Sequence, residues 1–471
     1  MGIDRKKNNN KETDRAMKSS EEIIIMGGGL AGLSAGEVLS RGGKKVKILE
    51  QDSRVGGLSK TIEHNGFRFD IGGHRFITGS DKLDLYVKEL LKGEYLRVPR
   101  TSQIYMFGKY FDYPLKPANA MFGLGVFTTF QILVDYCKER VKNTISPPEI
   151  VSLEDWVVSR FGRKMFDLYF KQYSEKVWGI DCKTISQEWV SERIKGLSLW
   201  EAIKNAFSKV SGKDIKTLAD EFIYPLYGIG QMSDNLKDRI ENNKSTVLTD
   251  TGVVRINRDG FKVRSVTVRS NGESREIEGS KFISSIPFTH LTRLMEPAVP
   301  EEILYAASKL RFRDILIVTV MLDRPHVTDL TWLYLPEKEM PLGRIHEPKN
   351  WSPHMAPEGK THVVTEFFCF KGDSIWNSSD EELTAITVDN LEKLGFFKKS
   401  EVIDSYVVRA AKAYPLMDVG YREHYEKILA YMKQFENLHI IGRGGLFRYY
   451  NMDVAMESGM ETAENILGKS N

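Results

Sequence analysis

The 471-residue sequence predicts an α/β protein. Its nucleotide-binding domain is assembled from separate parts of the chain, with an inserted helical domain and a mixed β-sheet substrate domain. Three observations predict this. Residues 21–49, EEIIIMGGGLAGLSAGEVLSRGGKKVKIL, give an apolar run, a glycine turn, a helical pattern and a second apolar run. Residues 247–287 read as strand, hairpin, strand, with turn signals at Asp259-Gly260 and Asn271-Gly272. Residues 438–466 carry a strand into a second glycine-rich turn and a helix from about Met452. The predicted partition is a polar tail (1–21), nucleotide domain (22–90, 215–290 and 421–471), helical segment (91–214) and β-sheet domain (291–420).

Ile23–Met26 is apolar throughout, as a buried parallel strand requires. Gly27, Gly29 and Gly32 follow at G-x-G-x-x-G spacing. Glu50 closes the second strand, Val46–Leu49, 18 residues past Gly32. This is a Rossmann-type unit. The first glycine makes the turn, the second admits a pyrophosphate, and the third lets helix pack on strand. The helix N-terminus faces the phosphates and Glu50 accepts from a ribose. Arg54, Gly56 and Gly57 come next. They resemble the E-x(3)-R-x-G-G extension of FAD enzymes in the amine oxidase superfamily, which implies FAD.

Phe67–Phe76, FRFDIGGHRF, alternates as a strand does, and Gly72-Gly73 permit backbone to press on a flat ligand. His74 follows, with a structural and a functional reading equally open. Ile104–Tyr113 reads as a hairpin around Gly108-Lys109. From Ala118 to about Gly212 the pattern is helical. Ser152 caps one of these helices, with Asp155 three residues on. Ala118–Tyr136 is apolar but too short and polar to span a bilayer. It reads as a buried helix pair, or alternatively as a membrane-facing surface that admits a lipid-linked substrate. Tyr173, Trp178, Trp189 and Arg193 crowd aromatics and a cation into a short span. Such aromatics are more often core than cofactor contacts. Tyr224–Gln231 is a loop before a helix at Met232–Glu241. Leu310–Leu335 and Thr361–Phe370 read as strands, with Ile315–Leu322 central, and Asp380–Leu394 as a helix. The final turn contains Gly442, Arg443, Gly444 and Gly445, an excess for an ordinary helix start.

The net charge of +3 suggests no polyanion partner, so nucleic acid is not expected. Three scattered cysteines exclude a disulfide framework and a zinc site, and no metal is expected. A cytoplasmic protein is expected, with a small-molecule substrate and with peripheral membrane contact as an open alternative.

Taken together, five blocks resemble the UDP-galactopyranose mutases. IGGHRF is similar to the family's segment beneath the flavin, which implies His74 as a catalytic and cofactor residue beside Gly73. YSEKVWG is similar to a block whose Trp stacks on uracil, which implies Trp178 and Tyr173. EWVSERI implies Arg193 on the substrate diphosphate. GRGGLFRYYNMD implies Arg443, Asn451 and Met452 at the FAD and Tyr449 at the substrate phosphates. MPLGRIHEPKNW resembles a fifth block, in which Leu342 stands where bacterial mutases have a Tyr. Arg311 and Arg313 are the candidates for a second substrate arginine. The resemblance implies ring interconversion of a nucleotide-linked sugar in polysaccharide biosynthesis, through N5 of a reduced flavin. Ala413–Tyr421 and the helix MESGMETAENI look equally at home among protoporphyrinogen oxidases and phytoene desaturases. The alternative implied is an FAD oxidoreductase acting on an apolar or lipid-linked substrate.

Overall fold

Both faces of the first strand are covered, which is why it has no polar side. The computed structural model describes residues 22–113, 125–193 and 221–469. The expected tail, the start of Ala118–Tyr136 and the helical expectation for 194–212 lie outside these residues. Strand β1 (Ile23–Met26) sends Ile23 and Ile25 into one core and Ile24 and Met26 into another. Helix α1 (Leu30–Arg41) leads to β2 (Val46–Leu49), and β3 (Thr61–His64) pairs with β4 (Phe67–Asp70). β5 (Tyr95–Pro99) precedes the hairpin of β6 (Ser102–Met106) and β7 (Lys109–Tyr113), which turns at Phe107-Gly108.

Next come the helices α2 (Val126–Ile145), α3 (Leu153–Phe161), α4 (Lys171–Trp178) and α5 (Gln187–Arg193). Ser152 and Asp155 form the expected reciprocal cap of α3. The expectation of a buried helix pair fails over the described part of Ala118–Tyr136. Within α2 only Ile132 is buried, because the polar side of the helix, not the apolar one, faces the protein.

β8 (Glu221–Pro225) pairs with β5, and α6 (Gly230–Asn242) leads to β9 (Thr246–Leu248). β10 (Gly252–Asp259), β11 (Lys262–Ser270) and β12 (Glu273–Glu278) precede β13 (Lys281–Ser284) and β14 (Met295–Glu296). Asn271 and Gly272 both take positive φ, 51° and 83°, as a tight hairpin turn demands. Only β9 and β13 join the parallel sheet. β10–β12 instead form a separate sheet with β14, which shields one of its faces.

α7 (Glu301–Lys309) precedes the long strand β15 (Arg311–Leu322), then β16 (Trp332–Tyr334), β17 (Arg344–His346) and β18 (Thr361–Cys369). α8 (Asp380–Lys393), β19 (Val402–Leu416), α9 (Tyr421–Met432), β20 (Leu438–Ile440) and α10 (Met452–Ile466) complete the chain. The parallel sheet has order β20-β13-β1-β2-β9, so both chain ends and the middle contribute to it. The large sheet has order β19-β15-β18-β17-β16-β6-β7. β6 and β7, which contain the hairpin expected at Ile104–Tyr113, form one edge of this sheet. Leu316, Val318 and Val320 of β15 pack with α8, while Ile315, Ile317 and Met321 face Phe67 and Phe69 of β4.

Asp70 ties these layers together. Its buried carboxylate accepts from Thr61 Oγ1 (2.6 Å), Tyr224 OH (2.7 Å) and the Ile229 N–H (3.2 Å). Asp70→Ala orphans these three donors and should cost about 3 kcal/mol or more in denaturant unfolding. A cost below about 1 kcal/mol would contradict this role.

Candidate active site

The nucleotide end is built from glycines that carry no room for a side chain. A Cβ on Gly32 would stand 2.0 Å from the Gly27 carbonyl oxygen. Gly27 itself has φ of 108°. The Gly56 N–H donates to the Gly28 carbonyl (2.8 Å), and a Cβ on Gly57 would lie 3.3 Å from Gly29 Cα. The two glycine loops thus meet backbone to backbone. Helix α1 starts without a capping side chain and without an acid in its first turn, although its start is buried. An anion suits such an end. Glu50 Oε2 accepts from the Gly28 N–H (2.7 Å) and Oε1 from the Asp52 N–H (3.0 Å). Burial raises its pKa, against these hydrogen bonds and Lys60. The carboxylate keeps lone pairs for a ribose. Arg54 sits at the rim, 3.5 Å from Asp234 and half exposed.

The C-terminal turn closes on the same helix. A Cβ on Gly459 would lie 2.1 Å from the Ala31 carbonyl oxygen, and one on Gly442 would lie 2.9 Å from Ala31 Cβ. Asn451 is the N-cap residue of α10 and Met452 its first residue. Both glycine turns therefore wall one cleft, and these residues fit a dinucleotide.

Beyond it the large sheet supplies a cationic, phenol-rich cluster. The Gly73 N–H donates to Glu366 Oε1 (3.1 Å). Its missing Cβ makes room for the Trp332 indole, since a methyl group would fall 1.6 Å from Cζ3. The flat body on that side of Gly73 is thus the protein's own ring. Glu366 is fully buried and ion-paired with Arg344, which also donates to Tyr414 OH (3.0 Å). Tyr414 stacks on Tyr449 at 5.4 Å and 10°. Arg443 lies over both rings, at 5.5 and 5.0 Å, and its Nε donates to the Tyr450 carbonyl (2.6 Å). Tyr173 meets Tyr334 edge to face at 5.6 Å. Burial raises the pKa of Tyr173 and of Tyr414, so both phenols stay protonated donors.

His74 is half-buried, and its Nδ1 has no hydrogen-bond partner. Burial, reinforced by Arg443, pushes its pKa down to about 4. The imidazole is neutral at neutral pH. Between pH 6.5 and about 4 the unfolded residue binds a proton that the folded one does not. Stability from this site is therefore complete above pH 6.5 and lost as pH falls toward 4. His74→Asn should flatten the acid limb of the stability profile by about 1 kcal/mol per pH unit in that window. An unchanged limb would contradict a neutral His74.

The structure brings His74, Gly73, Arg443, Tyr173, Trp178 and Tyr449 into one neighbourhood. Trp178 is 1% exposed, edge-on to Trp189 (5.0 Å) and Tyr449 (6.0 Å). Its ring offers no open face to a base in this arrangement and acts as the buttress behind Tyr414 and Tyr449. Arg193 ends α5, and its side chain lies outside the described residues. Neither candidate for the second arginine reaches the cluster with a free guanidinium. Arg311 pairs with Asp418 at the surface (2.7 Å). Arg313 is spent on the carbonyls of Val177 (2.9 Å), Lys176 (3.2 Å) and Phe368 (3.0 Å), which tether α4. Arg344 occupies that place instead. Sequence reasoning missed it together with Glu366, Trp332 and Tyr414, although Arg344 lies within the block MPLGRIHEPKNW. The Leu342 side chain is in the core, and its carbonyl accepts from Lys176 Nζ (2.7 Å). Cys182 and Cys369 are buried and pushed up to about 12, so neither serves as a nucleophile.

A glycine-clasped parallel sheet together with a cation-lined second sheet defines an FAD-dependent flavoprotein. Residues 30–467 match the profile of the flavin containing amine oxidoreductases, and the chain belongs to that family. Its cofactor is FAD. Among solved structures, reduced UDP-galactopyranose mutase superposes with a TM-score of 0.81 at 23% identity, covering 96% of this chain and 94% of that one. That likeness shows the fold. An inactive all-trans-retinol 13,14-reductase of Danio rerio is 40% identical over 77 residues, 16% of this chain and 11% of the relative. A carotenoid 3,4-desaturase of Haloarcula japonica is 43% identical over 54 residues, 12% of this chain and 11% of the relative. The chain thus matches only about a tenth of the length of these curated relatives. Among the described residues no helix is long and apolar enough to cross a membrane.

Proposed function

We propose that this flavoenzyme acts on a nucleotide-linked sugar, interconverting its pyranose and furanose rings with reduced FAD, in glycan assembly. One observation carries the reading: the cluster beside His74 is polar and phenolic, with the Arg443 guanidinium and the Arg344–Glu366 pair among Tyr173, Tyr414 and Tyr449. A diphosphate gives guanidinium groups and phenols their partners. A hydrocarbon would desolvate them without compensation. The shared fold with reduced UDP-galactopyranose mutase supports the same reading. Bound and reduced, FAD supplies the electron-rich centre for attack on the sugar. The protein's part is to orient. Arg193 takes the diphosphate, Tyr449 donates to it, Arg443 holds the cofactor side, and His74, neutral at neutral pH, adds no positive charge of its own.

The second reading is a hydrocarbon oxidoreductase, supported by the short matches to retinol reductases and carotenoid desaturases. UDP titrated against flavin fluorescence separates the two. A saturable response is expected, weakened roughly 10–100-fold in Arg193→Ala by loss of a charged hydrogen bond, with FAD content unchanged. No response to UDP or to any UDP-sugar would remove the nucleotide-sugar reading.

A further inference from the structure

Among the described residues, Arg75 is a largely buried cation with no counter-charge. Its Nη1 is inaccessible and has no hydrogen-bond partner, and no carboxylate lies within ion-pair reach among the described residues. The guanidinium is wedged against the rings of Trp332 (5.3 Å) and Phe222 (5.8 Å). Arg100 lies over Tyr113 (5.0 Å), and Tyr113 meets Tyr334 at 5.0 Å. The charged groups facing Arg75 are Arg100 and Arg344; the other titratable neighbours are the phenols of Tyr113 and Tyr334. Arg344 is neutralised by Glu366, whereas no described residue does the same for Arg75. A desolvated guanidinium without a partner is costly to keep unless something arrives to pair with it.

We infer that Arg75, with Arg100 beside it, forms an oxyanion subsite that takes a phosphate or carboxylate group of the substrate next to His74. The inference does not rest on the nucleotide-sugar reading. A carboxylate on any substrate entering this cleft would meet the same cation. The test uses FAD-loaded protein titrated calorimetrically with inorganic pyrophosphate in one arm and glucuronate in the other. Wild type should bind at least one of them, and the arm that binds identifies the oxyanion. Arg75→Gln should weaken that binding at least tenfold, and Arg75→Lys less. The ligand-free melting temperature of Arg75→Gln should equal or exceed wild type, because an uncompensated charge has been removed. A lower ligand-free melting temperature with unchanged anion affinity would make Arg75 structural and overturn the subsite. So would failure of wild type to bind either anion, which would leave a UDP response intact.

A second, independent observation concerns α2. Its apolar residues recur at helical spacing but point outward: Val126, Phe127, Phe130 and Ile145 are 75%, 74%, 62% and 79% exposed. Beside the stripe Lys138, Arg140 and Lys142 are exposed. The acids turn inward, Asp135 Oδ2 accepting from the Lys164 N–H (2.7 Å). A second copy of this helix would bring three more cations and no exposed acid. An anionic lipid surface supplies what both features lack, and the geometry points to α2 lying in the interface of such a bilayer. Full-length protein should sediment with vesicles of phosphatidylcholine containing phosphatidylglycerol, and far less with phosphatidylcholine alone. Phe127→Glu with Phe130→Glu should abolish this while FAD content stays unchanged. Absence of wild-type sedimentation, or a dimer that the double variant dissolves, would overturn it.

Discussion

Gly32→Ala yields protein that purifies without FAD. The added methyl would stand 2.0 Å from the Gly27 carbonyl oxygen, so either α1 or the turn must move. Overpacking of this kind costs about 1–3 kcal/mol in stability. The larger loss is of the cofactor, because the displaced atoms are those that approach its pyrophosphate. The ratio of flavin to protein absorbance reads the effect directly. Gly79→Ala is the matched control, since a methyl group there would meet nothing within 4 Å, and it should retain FAD fully. Normal FAD content in Gly32→Ala would remove the glycine turn as the cofactor's seat.

Glu366→Ala is the second large effect. It leaves Arg344 charged in a buried site and takes the acceptor from the Gly73 N–H. Breaking a buried pair from one side costs about 3–5 kcal/mol. Glu366→Gln keeps the acceptor but not the charge and should fall between. Replacing both partners, Arg344→Met with Glu366→Leu, should recover most of the stability without recovering activity. Denaturant unfolding and turnover measured on the same samples separate these outcomes. A double variant as unstable as Glu366→Ala would mean that the pair is not what the fold misses.

The nucleotide half was legible because its signals are local. The strand, the glycine turn and the acid at Glu50 lie within about 30 residues, and each has a steric reason visible in the sequence. Helix caps and hairpin turns, such as Ser152 with Asp155 and Asn271-Gly272, were legible for the same reason. The substrate side was not. Arg344, Glu366 and Tyr414 meet only through strand pairing across the large sheet, at sequence separations that no local pattern encodes. Arg311 and Arg313 drew attention because they stand close together on one strand. The fold spends one on Asp418 and the other on the backbone carbonyls near α4. The outward apolar side of α2 also defeated pattern reading. Periodicity shows that a helix has an apolar face and not what that face meets.

The most direct measurement is turnover of UDP-galactofuranose by FAD-loaded protein under anaerobic conditions, oxidised and then reduced with dithionite. The proposed function predicts conversion to UDP-galactopyranose by the reduced protein alone, with no net consumption of reductant. No conversion in either state, together with steady electron transfer to oxygen or another acceptor when an apolar polyene is supplied, would contradict it.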